Sequence, residues 1–181
     1  MNNRYKLFSL FIILVIFFFS ISCVGRLNSM FFNTDEKIVE KKFNQILVTL
    51  KNKDKDALKA MFSKKALEES EMIDESINYL FSFFQGEVVS WKRDGGLLVS
   101  YSFDYGNRVK EIKSFFNIDT NKQKYLVFIL DYIEDTANPE NVGLYTLRII
   151  KAEDEKTQFG YWQDMKMPGV YYPVDSEVTP D

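Results

Sequence analysis

The chain divides by its hydrophobic pattern, with helical spacing first and strand alternation second. Apolar stripes predict a helix over 35–52, a short helix capped by Asp54 or Asp56, and a third over 70–85. Gly86 follows the third helix, where a left-handed C-terminal cap is expected. The residues expected to be buried on these helices are Val39, Phe43, Ile46, Leu47, Leu50, Ala57, Leu58, Met61, Phe62, Ile73, Ile77, Leu80, Phe81 and Phe84.

From Glu87 onward the apolar spacing is typical of strands. Strands are predicted over 87–92, 97–103, 108–118, 124–134, 143–152 and 159–165. The first two should be joined by a hairpin turn at Arg93–Gly96, because the glycines accept positive φ. Strand 124–134 should be central, because apolar residues occupy both its odd and its even positions and so both faces. Asn138–Asn141 should form a turn. The predicted class is α+β, with three N-terminal helices packed on a curved antiparallel sheet of four to six strands.

The N-terminus has the layout of a secretory signal, with two basic residues followed by the apolar run Leu7–Phe19. That run is shorter than the roughly 20 residues needed to cross a bilayer. Ser20-Ile21-Ser22-Cys23 resembles the lipobox of bacterial lipoproteins, in which the cysteine thiol takes a diacylglycerol and becomes the mature N-terminus. Ser20 departs from that pattern, where an aliphatic residue is usual. The alternative is an uncleaved signal anchor in which Cys23 is an ordinary apolar residue.

These features predict four segments. They are a lipoprotein signal over 1–22, a lipidated tether over 23–33, one α+β domain over 34–172 and a polar tail over 173–181. The expected location is the outer side of the cell membrane, with membrane lipid as the partner through Cys23. Because Cys23 is the only cysteine, an intramolecular disulfide is excluded.

The charge balance argues against nucleic acid as a partner. Removing residues 1–22 takes away Arg4 and Lys6, which leaves 23 − 2 = 21 basic against 26 acidic residues, or about −5. Nucleic-acid binding depends on neutralising phosphates, and an acidic domain is poorly suited to that.

The composition removes several catalytic classes. The chain has no histidine, which excludes Ser-His-Asp and Cys-His arrangements and zinc sites built on imidazole. Gly95-Gly96 lacks the helix and lysine of a phosphate loop. Asp131, Glu134, Asp135 and Glu140 lack the spacing of a calcium loop, so neither a metal nor a cofactor is expected.

Asp131 and Arg148 each interrupt an otherwise apolar strand. If a hairpin turn lies at 138–142, they are nearly opposite each other. They would then form either a buried ion pair that fixes the strand register or the mouth of a pocket. In the second interpretation Asp131 is a weak candidate general base. Arg148, Trp91 and Tyr145 join Asp131 as candidate ligand-binding residues.

Aromatic side chains are abundant in the predicted domain, and they either line a pocket or fill the interface between helices and sheet. They include Trp91, Tyr101, Phe103, Tyr105, Phe115, Phe116, Tyr125, Phe128, Tyr145 and Trp162.

Four runs resemble an uncharacterised lipoprotein family, found mainly in Firmicutes and described as a domain of unknown function. They are KNKDKDALKAMFSKKAL (51–67), FFQGEVVSWKRDGG (83–96), NPENVGLYTLRIIKAEDE (138–155) and FGYWQDMKMPGVY (159–171). The resemblance implies a bacterial cell-envelope setting and brings no catalytic residues. The order of elements also resembles the nuclear-transport-factor-two-like, cystatin-like cone fold. That resemblance implies an apolar pocket, and the fold hosts isomerases, dehydratases and binding modules.

Two functions therefore stand as expectations. The first is a membrane-anchored surface module that binds a small apolar ligand or a protein partner. A module built for protein interaction should expose an apolar patch of several hundred Å² in place of a pocket. The second is a small isomerase- or dehydratase-type enzyme that uses Asp131 as a pocket carboxylate, in the manner of ketosteroid-isomerase-like members of the cone fold.

Overall fold

A computed structural model describes residues 34–158 and 165–171. The chain divides into two compact units, Met1–Asn44 and Gln45–Asp181. In the first unit the described residues, 34–44, are helical, and Val39 and Phe43 are buried. All sites and surfaces discussed below lie in the second unit. The predicted signal, the tether and the tail beyond residue 172 lie outside the described residues.

In the part of the chain that the structure describes, four helices precede the sheet, where three were predicted. They are α1 over residues 34–52, α2 Lys55–Lys59, α3 Lys64–Glu69 and α4 Ile73–Phe83. Two helices, α2 and α3, take the place of the predicted second helix. Asp54 caps α2, and the Ser63 hydroxyl accepts a hydrogen bond from the Ala66 amide at the start of α3. Helix α4 ends earlier than predicted, and Gly86, with φ of +89°, lies beyond its cap residue Phe84.

Five strands form one mixed sheet in the order β1-β2-β3-β4-β5. They are β1 Val88–Asp104, β2 Asn107–Thr120, β3 Lys124–Asp135, β4 Gly143–Lys151 and β5 Gly169–Val170, with α5 Glu155–Gln158 after β4. The α+β class is confirmed. The expectation of a wholly antiparallel sheet is wrong at its last pair, because β5 runs parallel to β4. The connection between these two strands, here called the crossover, is described over residues 152–158 and 165–168.

The predicted hairpin turn at Arg93–Gly96 is also wrong. Residues 88–104 form one strand, and three residues between Asp94 and Leu98 stand opposite the single residue Ser114 of β2. The glycines therefore make a β-bulge, with φ of +70° at Gly95. The turn lies further on, at Tyr105-Gly106, where φ is +46° and +87°, as a two-residue type I′ hairpin requires.

Strand β3 is buried on both of its faces, as its apolar pattern predicted. One face, here called the helix face, carries Tyr125, whose hydroxyl accepts from the Gln85 amide (2.8 Å) and donates to the Phe83 carbonyl (3.1 Å). The other, here called the opposite face, carries Phe128 and Leu130, which pack with Met165. Both faces of the central strand are therefore covered.

Two segments from distant parts of the chain share the outer edge of β4. The Ser63 amide donates to the Leu144 carbonyl (2.8 Å), and the Leu144 amide donates to Met61 (3.0 Å). Further along, Gly169 and Val170 pair with Thr146 and Leu147. The strand predicted over 159–165 lies almost wholly outside the described residues. Within the described ranges, no helix is long and apolar enough to cross a membrane.

Gly143 allows the chain around residues 61–63 to approach β4. Its φ is +132°, and a Cβ there would lie 2.9 Å from the Ser63 amide nitrogen. We expect Gly143→Ala to lower the free energy of unfolding by about 1–3 kcal/mol, because it adds both strain and a backbone clash. Gly96→Ala, where a Cβ meets nothing within 4 Å, is the control and should change it by less than about 0.5 kcal/mol. Denaturant titration of both variants measures the difference, and equal effects would contradict this account.

Candidate functional site

Asp131 and Arg148 do not face each other as predicted. In the β3–β4 register, Asp131 stands opposite Leu144 and Arg148 stands opposite Phe128. Side chains alternate along a strand, so Asp131 shares the helix face with Tyr125 while Arg148 lies on the opposite face. The proposed cross-strand pair is therefore wrong.

The loop between β3 and β4 explains this register. The buried Asp135 carboxylate accepts from the amides of Ala137 (3.1 Å) and Asn138 (2.8 Å) and from the Asn141 side chain (2.7 Å). These hydrogen bonds, the Asn141 one first, lower the pKa of Asp135 below its ordinary value. The tied loop places Gly143 opposite Tyr132, and a register shift follows between Leu130 and Asp131.

Arg148 fastens the crossover to the opposite face. It is 4 % exposed, and its Nη2 donates to the carbonyl (2.6 Å) and the side-chain Oε1 (3.0 Å) of Gln158, the last residue of α5. Its guanidinium carbon lies 3.9 Å from the centre of the Tyr171 ring, and the Tyr171 hydroxyl donates to the same Oε1 (2.9 Å). A cation is favourable at a helix C-terminus. These contacts give Arg148 a structural role.

Tyr145 belongs to a separate polar group at the edge of the sheet. Its hydroxyl donates to Glu69 Oε2 (2.7 Å), and its ring packs edge-to-face against Tyr132. Burial, and then the Glu69 hydrogen bond, raises the pKa of Tyr145, while Tyr145 lowers the pKa of Glu69. Lys166 Nζ lies 5.6 Å and 5.8 Å from the two ring centres, and the Tyr132 hydroxyl is the main cause that raises the pKa of Lys166. The group ties α3 and residues 165–167 to β4.

Trp91 lies on the helix face, opposite Ile118, with its ring edge-on to Phe116 at 5.8 Å. The four candidate ligand-binding residues are thus divided between faces: Asp131 and Trp91 on one, Arg148 and Tyr145 on the other. The structure does not bring them together. Asp131 is also only 1 % exposed, so a substrate cannot reach it in this conformation.

The acidic residues considered for calcium have other roles. Besides Asp135, Glu134 pairs with Arg108 (2.8 Å) and Glu140 pairs with Lys64 (2.6 Å). Among the residues that the structure describes, no three carboxylates or cysteines are grouped so that they would hold a metal ion.

Three of the four most exposed large apolar side chains among the described residues lie near the turn of the β1–β2 hairpin. Tyr101, Phe103 and Tyr105, here called the aromatic ridge, are 58 %, 66 % and 97 % exposed. Both interpretations of these three aromatics, pocket lining and core filling, are wrong, because the hairpin extends beyond the covered part of the sheet. By the size of aromatic side chains, the ridge exposes on the order of 400 Å².

The ridge has basic cross-strand neighbours and a strained backbone at its tip. Val99, Tyr101 and Phe103 share the helix face with Ile112, Lys110 and Arg108, their cross-strand neighbours on β2. Tyr105 adopts a left-handed conformation that bulky residues rarely take, yet its side chain is almost wholly in solvent. The observed strain at Tyr105 is the kind that recurs at functional surfaces. The sequence contained one signal for this turn, Gly106-Asn107 after an acidic residue.

One family model matches residues 45–152, and its description is "Domain of unknown function (DUF5104)". The match begins in the second half of α1 and ends just after β4, so it includes the aromatic ridge, Asp131 and Arg148. The comparison with curated proteins gave no match.

The turn allows a test of whether Tyr105 is there for stability. Asn-Gly is the preferred pair for a type I′ turn, so Tyr105→Asn should relieve strain. We expect it to raise the free energy of unfolding by about 0.5–1 kcal/mol, seen as a higher midpoint of thermal unfolding. Gly106→Ala, at φ of +87°, should lower it. A destabilised Tyr105→Asn variant would show that the tyrosine supports the fold.

Proposed function

The chain belongs to the family of the domain of unknown function DUF5104, and from that premise we propose that it is a lipid-anchored bacterial surface protein that binds a protein partner. In this proposal the protein acts by binding, without catalysis, and the aromatic ridge is the contact surface. The exposure of Tyr101, Phe103 and Tyr105 is the observation that carries the proposal.

The anchor rests on the N-terminal sequence. A basic start, an apolar run and a cysteine directly after small residues are what lipoprotein export requires, and Cys23 has no disulfide partner in the chain. Two or more acyl chains on one residue give stable membrane binding, where a single chain does not. The acidic domain would then owe its membrane affinity to Cys23, and it would face outward.

The ridge supports a macromolecular partner more than a small ligand. Exposed aromatic side chains beside Arg108 have the composition of protein interfaces, which are enriched in tyrosine, phenylalanine and arginine. An exposed patch of this size is within the range of the largest patches on monomeric proteins, and such patches are often functional. The strain at Tyr105 is then a cost of fold stability that serves contact.

The enzyme alternative has weaker support. A general base must reach the proton it removes, and Asp131 is 1 % exposed on a face packed by helices. Arg148, its supposed partner at a pocket mouth, lies on the other face. A Firmicutes origin and the cone-like fold remain part of this proposal, carried by the resemblance of the sequence and of the element order.

Cys23→Ala tests the anchor. We expect the variant to lose labelling by a radioactive or clickable fatty acid and to keep its signal, because the lipid-dependent cleavage needs the thioether. Incorporated label measures lipidation, and the apparent mass of the protein in a membrane fraction shows whether the signal is retained. Ser20→Leu, which restores the usual lipobox residue, is the matched control and should be processed at least as completely. Unchanged processing and membrane retention of Cys23→Ala would contradict lipidation.

The ridge is tested by placing a photo-crosslinking amino acid at Tyr105 of the full chain in its own cells. We expect a discrete protein adduct that is much weaker from the same probe at Val48, a residue of α1 that is 57 % exposed. Ridge substitutions such as Tyr101→Ser with Phe103→Ser should reduce the adduct at least five-fold. Equal adducts from both probe positions, or none from Tyr105, would count against the ridge as a binding surface.

A further inference from the structure

Strand β1 forms an open edge of the sheet. It is 17 residues long, it pairs with β2 on one side, and within the described ranges no strand pairs with its other side. Alternate amide and carbonyl groups of an edge strand point outward and can pair with another strand. The edge therefore offers backbone hydrogen bonds that the described chain does not use.

Two opposite charges lie near the ends of this edge. Lys92 stands opposite Asn117 and Asp104 stands opposite Asn107 on β2, so both side chains project from the opposite face of the sheet. Both are exposed, and among the described residues neither makes an ion pair. Ten residues of β2 separate their partners, which places the two charges roughly 30 Å apart in one chain.

We propose that a second copy of this chain pairs with β1, antiparallel and edge to edge, about a two-fold axis near Val99. Val99 is midway between Lys92 and Asp104 when the positions are counted along β2, so that the bulge takes one position. In that arrangement Lys92 of each copy stands opposite Asp104 of the other, so the symmetry forms the same ion pair twice. The joined sheet has ten strands. The inference goes beyond the proposed function, since it uses the backbone edge and the opposite face, whereas the aromatic ridge lies on the helix face.

Charge complementarity selects this occupant and this register. A shift that keeps the faces aligned moves the pairing by two residues. One direction sets Asp94 opposite Asp104, where like charges repel, and the other sets Lys92 opposite Ser102 and loses the ion pair. The chosen register instead sets Asp94 opposite Ser102, which can donate a hydrogen bond.

The wild-type chain in its own membranes permits a direct test with a zero-length carbodiimide, which joins an amine to a carboxylate in contact. We expect an isopeptide between Lys92 and Asp104 in a species of twice the chain mass, identified by mass spectrometry of its peptides. A link inside one chain is excluded because the two side chains lie roughly 30 Å apart. Absence of this link from cross-linked membranes would overturn the proposal.

Charge exchange provides the second test, read out by a disulfide at the axis. Opposite residues of an antiparallel pair are close enough for a disulfide, so Val99→Cys should give a covalent dimer under mild oxidation. Adding Lys92→Glu or Asp104→Lys should reduce the dimer at least five-fold, and combining both exchanges should restore it. Failure of the combined variant to recover, or a similar yield from Val48→Cys, would overturn the proposal.

The outcomes separate this inference from the proposed function. The wild-type chain, with Cys23 as its only thiol, should give no disulfide dimer if Cys23 is acylated. A dimer from the wild-type chain would contradict the anchor, and the zero-length link would still decide the edge pairing. A monomeric chain whose Tyr105 probe captures another envelope protein would contradict the edge pairing alone.

Discussion

The structure depends on the double burial of β3. Residues 126–131 of that strand are buried without interruption, so the sheet needs cover on both faces. Helices supply one cover, tied by the Tyr125 hydroxyl to the end of α4. The crossover after β4 supplies the other, and the buried Arg148 holds it through Gln158 and Tyr171. A charge inside an apolar strand therefore stabilises the second layer rather than forming a site.

This distribution of cover also explains why the β1–β2 hairpin is exposed. Both layers lie over the middle of the sheet, where β2, β3 and β4 overlap, and the paired ends of β1 and β2 continue past β3 and β4 to the turn. The bulge at Gly95 adds residues to β1 without lengthening its partner, so β1 bends there while its end stays paired with β2 as far as the turn. Aromatic residues on that extension cannot be buried by the described chain, and this favours an external contact.

Local patterns predicted much of the fold. The apolar pattern predicted the bounds of β2, β3 and β4 to within a few residues. Apolar residues at both odd and even positions identified β3 as the central strand. Caps predicted the start of α2, but not the break before α3, which depends on Ser63 pairing with Leu144 some eighty residues later. The prediction of a hairpin turn at 93–96 was wrong because Gly95-Gly96 suits a bulge as well as a turn, and only pairing with the partner strand decides between them.

The predicted pairing of Asp131 with Arg148 was wrong for a related reason. Asp131 would face Arg148 only if the strands were shifted by three or four residues, and the Asp135 loop and the shift after Leu130 set the observed register through three-dimensional contacts. The exposure of Tyr101 and Phe103 likewise depends on how far the helices reach. A sequence identifies aromatic residues, but it does not show which of them lie beyond the second layer.

The shared outer edge of β4 has a consequence for assembly. Residues 61–63 and the short β5 occupy that edge, and a Cβ at Gly169 would already meet Ser70 and Ile73, so a further strand finds no place beside β5. Among the described strands, β1 is the one past which the sheet can grow. Growth by a two-fold pairing at one end uses both open edges at once, so it gives a closed pair and no fibre. In the proposed membrane-anchored state, such pairs could pack densely without polymerising through β1.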